Sequence, residues 1–392
     1  MTPELTVLPS EGLEFELTEG QLAVQALARD FAEKEIRPVA MKYDESQEFP
    51  FDIVNKLADL GFMGIIWPEE LGGAGLTDLD AIVMIEELAK VDPSVALTVA
   101  SHNSLCSAHI MNFGDDNQKR KYLPALASGK ALGAWALTES GSGSDAGGMR
   151  TLATRDGNDW VITGSKTFIT QGSVGSTYVV MAMTDRTKGK ASISAFILEK
   201  GMRGFTVGKK ENKLGMRSSD TATLLFDAVR VPGENLIGNV GDGFKQALAV
   251  LDGGRVGIAA LSVGIAQGAL DASLKYAKER VQFGSPIAEY QGIQWKLADM
   301  ATETHAGRLL TQRAAWMKSR GLEITLAAAQ AKYFASEAAV RATNEAVQIH
   351  GGYGFIKEFP VEKLYRDVKL MTIGEGTSEV QKMVIARHLL YH

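Results

Sequence analysis

Apolar residues at Val24, Leu27, Ala28 and Phe31 recur at i, i+3, i+4 and i+7 behind the capping box Thr18-Glu19-Gly20-Gln21. That spacing predicts an amphipathic helix, which Pro38 ends or kinks. Helical stretches follow at Phe51 to Leu60 and Asp78 to Lys90, separated by the Gly-rich loop Leu71 to Gly75, and at Ser101 to Phe113. After Gly129 the texture changes. Leu132 to Leu137, Trp160 to Thr163, Thr177 to Met183, Ser192 to Leu198 and Thr221 to Val231 are short runs, mostly β-branched or aromatic, with turn formers between them, and they predict an antiparallel β domain. The helical period returns at Phe244 to Leu251, Arg255 to Gln282, Gln291 to Ser319, Glu323 to His350 and Ser378 to Leu390, which short connections would fold into an antiparallel bundle. The fold class is therefore α+β, mainly α, with a helical domain over 1–128, a β domain over 129–238 and a helical bundle over 239–392.

Composition narrows the function. Lys plus Arg number 41 against 47 Asp plus Glu, a net charge of −6 over 392 residues, so no overall positive field draws the chain to nucleic acid or anionic lipid. Cys106 is the single cysteine, and neither CxxC nor HExxH occurs, so a metal-free site in a reducing cytoplasm is expected. Met1 to Glu16 carries Glu4, Glu11, Glu14 and Glu16 but no Arg, unlike a transit peptide. The uncharged stretch Pro93 to Gly114 is too polar to span a bilayer, and Val256 to Leu270 reads as a buried, close-packed helix whose Gly264 and Gly268 only formally match GxxxG. No membrane span is expected.

Several local clusters could carry chemistry, each with a plainer alternative. Thr138 to Asp145 is rich in Gly and Ser at the end of a strand; it could hold a phosphate or a flavin edge, or be a surface turn. It is no Rossmann fingerprint, because strand rather than helix follows it. Gly374-Glu375-Gly376 sets a carboxylate between two glycines ahead of a helix opened by a capping box Ser378 to Gln381; locally, a solvated helix-start glutamate explains it equally. Gln348 to Gly354 ends a helix with more glycines than a C-cap needs. Arg280, Phe283 and Gln291 could grip a ligand or simply be solvated and core positions, and Asp252 with Arg255 could be an ordinary surface pair. His102 and His350 read as core or capping residues.

Taken together, Trp135 to Glu139 with Gly143-Ser144-Asp145, Gly164 to Thr170, Leu251 to Arg255, Glu279 to Gly284, Gln348 to Gly352, and Tyr365-Arg366-Asp367 leading to Glu375-Gly376-Thr377 resemble the acyl-CoA dehydrogenase family over nearly the whole chain. The resemblance implies a helical N-terminal domain, a central β domain and a C-terminal four-helix bundle. It further implies a noncovalent FAD between the last two. Trp135, Leu137, Thr138, Gly143 and Ser144, with Phe168, Ile169 and Thr170, match the flavin contacts. Arg280, Phe283, Gln291, Gln348, Ile349, Gly351 and Gly352 match contacts to the ADP half made across a subunit boundary, and Thr377 and Glu379 match the remaining adenosine-side positions. A homotetramer, a dimer of dimers, follows by the same analogy.

By that resemblance Glu375 is the base that removes the α-proton of an acyl-CoA thioester while FAD accepts hydride from Cβ. A carboxylate in water is too weak for that task, so the site has to be dry. Ser144, Asp252, Arg255 and Gly376 match substrate-contacting positions, and Arg217 lies on a loop that could approach the acyl-CoA. Gly254 stands where isovaleryl-type and long-chain enzymes place an alternative glutamate base, and Ser94 to Ser104 lacks the arginine of glutaryl-type enzymes. Leu251 to Arg255 and His102 to Leu105 look most like short-chain, butyryl-type members, which pass electrons to an electron-transferring flavoprotein. The alternatives are a medium, branched or cyclic acyl-CoA substrate, a flavin oxidase, and a catalytically silent flavin-binding subunit.

Overall fold

The computed structural model describes residues 16–391; of the acidic start Met1 to Glu16, all but Glu16 lies outside them. Helix α1 (Glu19–Phe31) begins with the expected capping box on Thr18 and Gln21, runs into a π-helical turn at Ala32–Ile36, and stops before Pro38. Helices α2 (Ala40–Ser46), α3 (Phe51–Asp59), α4 (Asp78–Val91), α5 (Pro93–Ser101), α6 (Ala108–Phe113) and α7 (Asp116–Ala127) complete the N-terminal part. Helix α5 is buried along its whole length. Proline at its first position and the Asp92 carboxylate, which accepts the Ser94 N–H at 2.8 Å, open it. The single helix expected from Ser101 to Phe113 is instead a π-helical turn, His102–Ser107, followed by α6. Helix α7 escaped the periodicity because its first turns are polar and Pro124 interrupts it; the Asp115/Gln118 capping box starts it.

The β domain is one sheet built from β1 (Gly133–Ala136), β2 (Leu152–Asp156), β3 (Asp159–Thr170), β4 (Thr177–Met183), β5 (Ile193–Glu199), β6 (Phe205–Lys210), β7 (Thr221–Val231) and β8 (Leu236–Ile237). Its order is β6-β7-β3-β2-β4-β5-β8, with β1 also on β4. The pairs β2/β3, β3/β7, β4/β5, β5/β8 and β6/β7 are antiparallel as expected. β4 differs: β1 lies parallel along its first half and Leu152 of β2 pairs parallel with Met183 at its end. β3 has register breaks between Ile162 and Gly164 and between Lys166 and Ile169. At the second, Phe168 takes φ 57° and its ring is 64% exposed, as bulges re-aim side chains.

Helix α8 (Gly243–Glu279) is continuous, correcting the expected break between Leu251 and Arg255. The glycines suggest a break in one dimension; in three they are close-approach points. A β-carbon on Gly264 or Gly268 would lie 2.4 Å from the Glu86 carbonyl oxygen or 2.5 Å from that of Lys90, so α4 crosses α8 backbone to backbone. Helix α8 is long and apolar enough to cross a membrane, and 78% of its most apolar window is buried inside the protein. A tiny ladder, β9 (Val281–Gln282) with β10 (Ser285–Pro286), leads into α9 (Gln291–Ser319) and α10 (Thr325–His350). After α11 (Val361–Asp367) comes α12 (Ser378–Tyr391); α8, α9 and α10 pack on one another, with α4 against α8 and α9 and α12 against α10. One apolar core joins Leu88, Val95 and Val99 to Ile258, Leu261 and Ile265, so the two helical parts share an interior.

All three parts meet at a buried ion cluster. Lys363 donates to Asp92 Oδ1 at 3.0 Å and Asp367 Oδ2 at 2.6 Å, and Asp367 Oδ1 accepts the Met216 N–H from the β domain at 2.5 Å. The two carboxylates hold Lys363 charged against the cost of burial. Removing the cation strands two buried anions, which typically costs about 3–5 kcal/mol. Lys363→Met is therefore expected to lower the unfolding free energy of the purified protein by that order, seen as a lower denaturant midpoint by circular dichroism; an unchanged midpoint would show the cluster to be dispensable.

Candidate active site

Glu375 sits in a turn between the end of α11 and α12. It takes φ 53° and Gly376 takes φ 93°, so the carboxylate is presented by left-handed backbone. The residue is half-buried, and its Oε2 is buried with no hydrogen-bond partner among the described residues. Gly254 of α8 makes the room, since a β-carbon there would lie 2.0 Å from Glu375 Oε2. Burial pushes the carboxyl up to about 7, with the charges of Arg255 and Lys332 pulling the other way. The Glu375 amide N–H also lacks a described partner, which leaves a donor beside the carboxyl.

Helix α8 carries the neighbouring charges. Arg255 is buried and donates through Nη1 to Asp252 Oδ1 at 2.5 Å, while Asp252 Oδ2 accepts the Thr325 hydroxyl at 2.6 Å. The pair thus lies inside the protein, tied to the start of α10, and is not a surface pair. Burial raises the Asp252 carboxyl from its ordinary range, with Thr325 and Arg255 opposing. Arg255 Nε is buried without a partner, so this guanidinium keeps a donor in reserve.

The Gly/Ser loop is held from behind. Lys166 of β3 is fully buried and donates to the Leu137 carbonyl and to Glu139 Oε1, both at 2.8 Å. The Glu139 carboxylate also accepts the N–H groups of Arg150 at 2.6 Å and Thr151 at 2.9 Å, closing the loop 139–151 against β3. Burial pulls the Lys166 ammonium down to about 8, Glu139 partly restoring it. In front of this anchor Gly143 and Ser144 are exposed, and a β-carbon on Gly141 or Gly143 would meet nothing within 4 Å. Thr138 and Thr170 are half-buried at the edge of this open face, whereas the Leu137 and Ile169 side chains point into the core, leaving only their backbone for a ligand.

Trp135 is positioned by a chain whose direction is settled by chemistry. Indole N–H only donates, so His109 Nδ1 accepts it at 3.1 Å and His109 Nε2 donates to Gln246 Oε1 at 3.1 Å. Gln246 Nε2 then donates to the Ile237 carbonyl at 3.1 Å. Burial lowers the His109 imidazole to about 4, keeping it neutral as the chain requires. No local motif marks this relay, whose central step joins His109 to Gln246 across 137 residues of chain.

A second group gathers elsewhere. The Arg280 guanidinium lies 5.3 Å from the centre of the Tyr353 ring, bringing the β9–β10 ladder to the end of α10. There Phe283 is 99% exposed. Gln291, Gln348, Gly351 and Gly352 are exposed, and Ile349 is buried. His350 is a core residue stacked on Tyr276, as expected, and His102 is buried between the Leu126 carbonyl and the Gly133 N–H. Asn103 donates to Phe62 and Val99, so the His102 to Leu105 segment serves the N-terminal core. Arg217 donates through Nε to the Asp44 carbonyl and through Nη1 to the Lys213 carbonyl and Asn212. At α12, Thr377 rather than Ser378 caps: its hydroxyl accepts the Val380 N–H at 3.3 Å, while Ser378 donates to Glu337. Glu379 is exposed, its carboxyl held below the ordinary range by its own amide and by Thr377.

The chain matches the acyl-CoA dehydrogenase N-terminal domain over residues 18–130, the middle domain over 134–229 and the C-terminal domain over 241–390. It belongs to the acyl-CoA dehydrogenase family. A short-chain specific acyl-CoA dehydrogenase of Clostridium acetobutylicum is 47% identical over 95% of this chain and 99% of its own length. The solved butyryl-CoA dehydrogenase of Megasphaera elsdenii superposes with a TM-score of 0.95 at 45% identity, covering 96% of this chain and all of that one. A chain solved in work on the electron transferring flavoprotein of Acidaminococcus fermentans and flavin-based electron bifurcation gives a TM-score of 0.96 at 46% identity, over 97% of this chain and 100% of the other.

Gly254→Ala separates site from scaffold. Alanine favours a helix interior by about 1 kcal/mol over glycine, and the atom it strikes is the movable end of Glu375. With Glu375 as a reacting group, the reading put forward below, thermal stability should hold while turnover drops about a hundredfold for a displacement of roughly 1 Å; steady-state assays beside melting curves read both.

Proposed function

We propose that this enzyme removes hydrogen from Cα and Cβ of a short-chain acyl-CoA thioester to give the trans-2-enoyl-CoA, with FAD as cofactor and an electron-transferring flavoprotein as acceptor. The observation that carries the reading is the buried, partnerless Oε2 of Glu375 with a free amide beside it. The surroundings suit the flavin: an exposed Phe168 ring on a bulge, the fixed indole edge of Trp135, and an open glycine loop backed by Glu139 and Lys166. Trp135 through Ser144 and Phe168 through Thr170 would hold its ring end, and Arg280, Phe283, Gln291, Gln348 to Gly352, Thr377 and Glu379 its ADP half. When bound, FAD supplies the acceptor for the hydride leaving Cβ.

The protein's own groups supply the rest. Glu375 takes the α-proton, and burial makes its carboxylate a stronger base than one in water. Its N–H meets the thioester oxygen, where negative charge grows as the proton leaves. Asp252 and Arg255 fix the helix face against which the acyl-CoA lies, with Ser144 and Gly376 as further contacts. The absent side chain at Gly254 leaves room for one base only. The short-chain assignment follows the named relatives and that glycine.

We further infer domain limits near 128 and 238, a cytoplasmic setting and a dimer of dimers. Phe283, Phe355 and Trp295 at 99, 87 and 65% exposure are apolar surface suited to neighbouring subunits.

Turnover of butyryl-CoA with a dye acceptor tests the reading. Glu375→Gln should keep the yellow flavin and acyl-CoA binding yet lose at least about a thousandfold in kcat, in line with loss of a general base. In the wild type, kcat/KM should rise with pH and half-saturate near about 7, because the base works only when deprotonated. A Glu375→Gln enzyme that still turns over fully would show that another residue is the base.

A further inference from the structure

Lys332 is a fully buried lysine on α10, and among the described residues it has no carboxylate within ion-pair distance. Its Nζ donates to the Gly376 carbonyl at 2.7 Å. That carbonyl is already served, since Gln381 Nε2 donates to it at 3.0 Å and to the Glu375 carbonyl at 3.3 Å. A second bond to one oxygen does not balance the burial of an ammonium group unless a nearby anion needs the charge.

The charged groups facing this pocket come from four places. Arg255 on α8 is a like charge and opposes Lys332. Glu337 on α10 is engaged by the Ser378 hydroxyl at 2.5 Å, and Glu379 on α12 points to solvent. The Glu375 carboxyl on the turn remains, and it has no hydrogen bond of its own at Oε2. We propose that Lys332 is a positioning residue for the base: it pins the left-handed turn through Gly376 and supplies the counter-charge that keeps the Glu375 carboxylate ionised while dry. The inference rests on Glu375 being the base. Burial draws the Lys332 ammonium down to about 8 and drives the Glu375 carboxyl up to about 7, each opposed by the other's charge. Arg255 adds positive charge from α8 while its Nη1 is held by Asp252, and Lys332 is the cation that also bonds the turn itself.

Three substitutions in the flavin-loaded enzyme separate charge from pin. Lys332→Gln keeps a donor for the Gly376 carbonyl but removes the charge; Lys332→Arg keeps a charge; Lys332→Met removes both. Flavin content by absorbance reports folding, and kcat/KM for butyryl-CoA is followed against pH. In Lys332→Gln the acid limb should move up by about one unit or more, as loss of a nearby opposite charge predicts, so turnover at pH 6 falls about tenfold and recovers in alkali. Lys332→Met should show the same shift together with a lower kcat at every pH. Lys332→Arg should keep the wild-type limb. An unmoved limb in Lys332→Gln, beside an inactive Glu375→Gln, overturns the counter-charge role and leaves the base assignment standing. Full turnover by Glu375→Gln instead overturns the base assignment itself.

Discussion

A carboxylate that lifts a proton from carbon, the role proposed for Glu375, has to be kept dry without becoming permanently protonated, and Gly254, Arg255 and Lys332 bear on that conflict. Water would weaken such a base; complete isolation would neutralise it. The fold answers with a niche and two cations. Gly254 provides the niche because a helix can bring another group against its own backbone only where a side chain is missing. Arg255 and Lys332 bring positive charge to the same place from two different helices. Helix α8 therefore has to run unbroken through Asp252 to Arg255, and α10 has to lie close enough for Lys332 to reach Gly376.

The face that carries Trp135, the Gly/Ser loop and Phe168 follows a similar rule with different means. There the polar groups are fully paired and set behind the working surface. Glu139 with Lys166 ties the Gly/Ser loop to β3, the His109–Gln246 relay fixes Trp135, and the bulge in β3 turns Phe168 outward. Satisfied buried networks of this kind have few alternative arrangements, so they hold a surface in one geometry. Lys363, Asp92 and Asp367 do the same for the three parts of the chain as a whole.

Element type was largely legible because burial on one side imposes a period. Thr177–Met183, Thr221–Val231 and Gln291–Ser319 occur at the predicted residues. Failures cluster where local and tertiary preferences disagree. Gly253-Gly254 reads as a helix stop, yet the helix continues because Glu375 and Lys318 pack against those positions. Strand β6 is mostly exposed and shows little alternation, and β1 reaches β4 only through a parallel crossover that no local pattern encodes. The plain reading of Asp252 and Arg255 as a surface pair failed for a similar reason, since their burial depends on α10.

What the sequence determined by itself is the order helix, sheet, helix, the glycine-flanked carboxylate at 375 and the family kinship of the chain, because side-chain period and short motifs are properties of neighbouring residues. What the tertiary structure alone decided is the company that carboxylate keeps. Gly254, Arg255 and Lys332 lie 121, 120 and 43 residues from Glu375 in the chain. They meet it only after α8, α10 and the final turn have packed, and a pKa answers to distance in space.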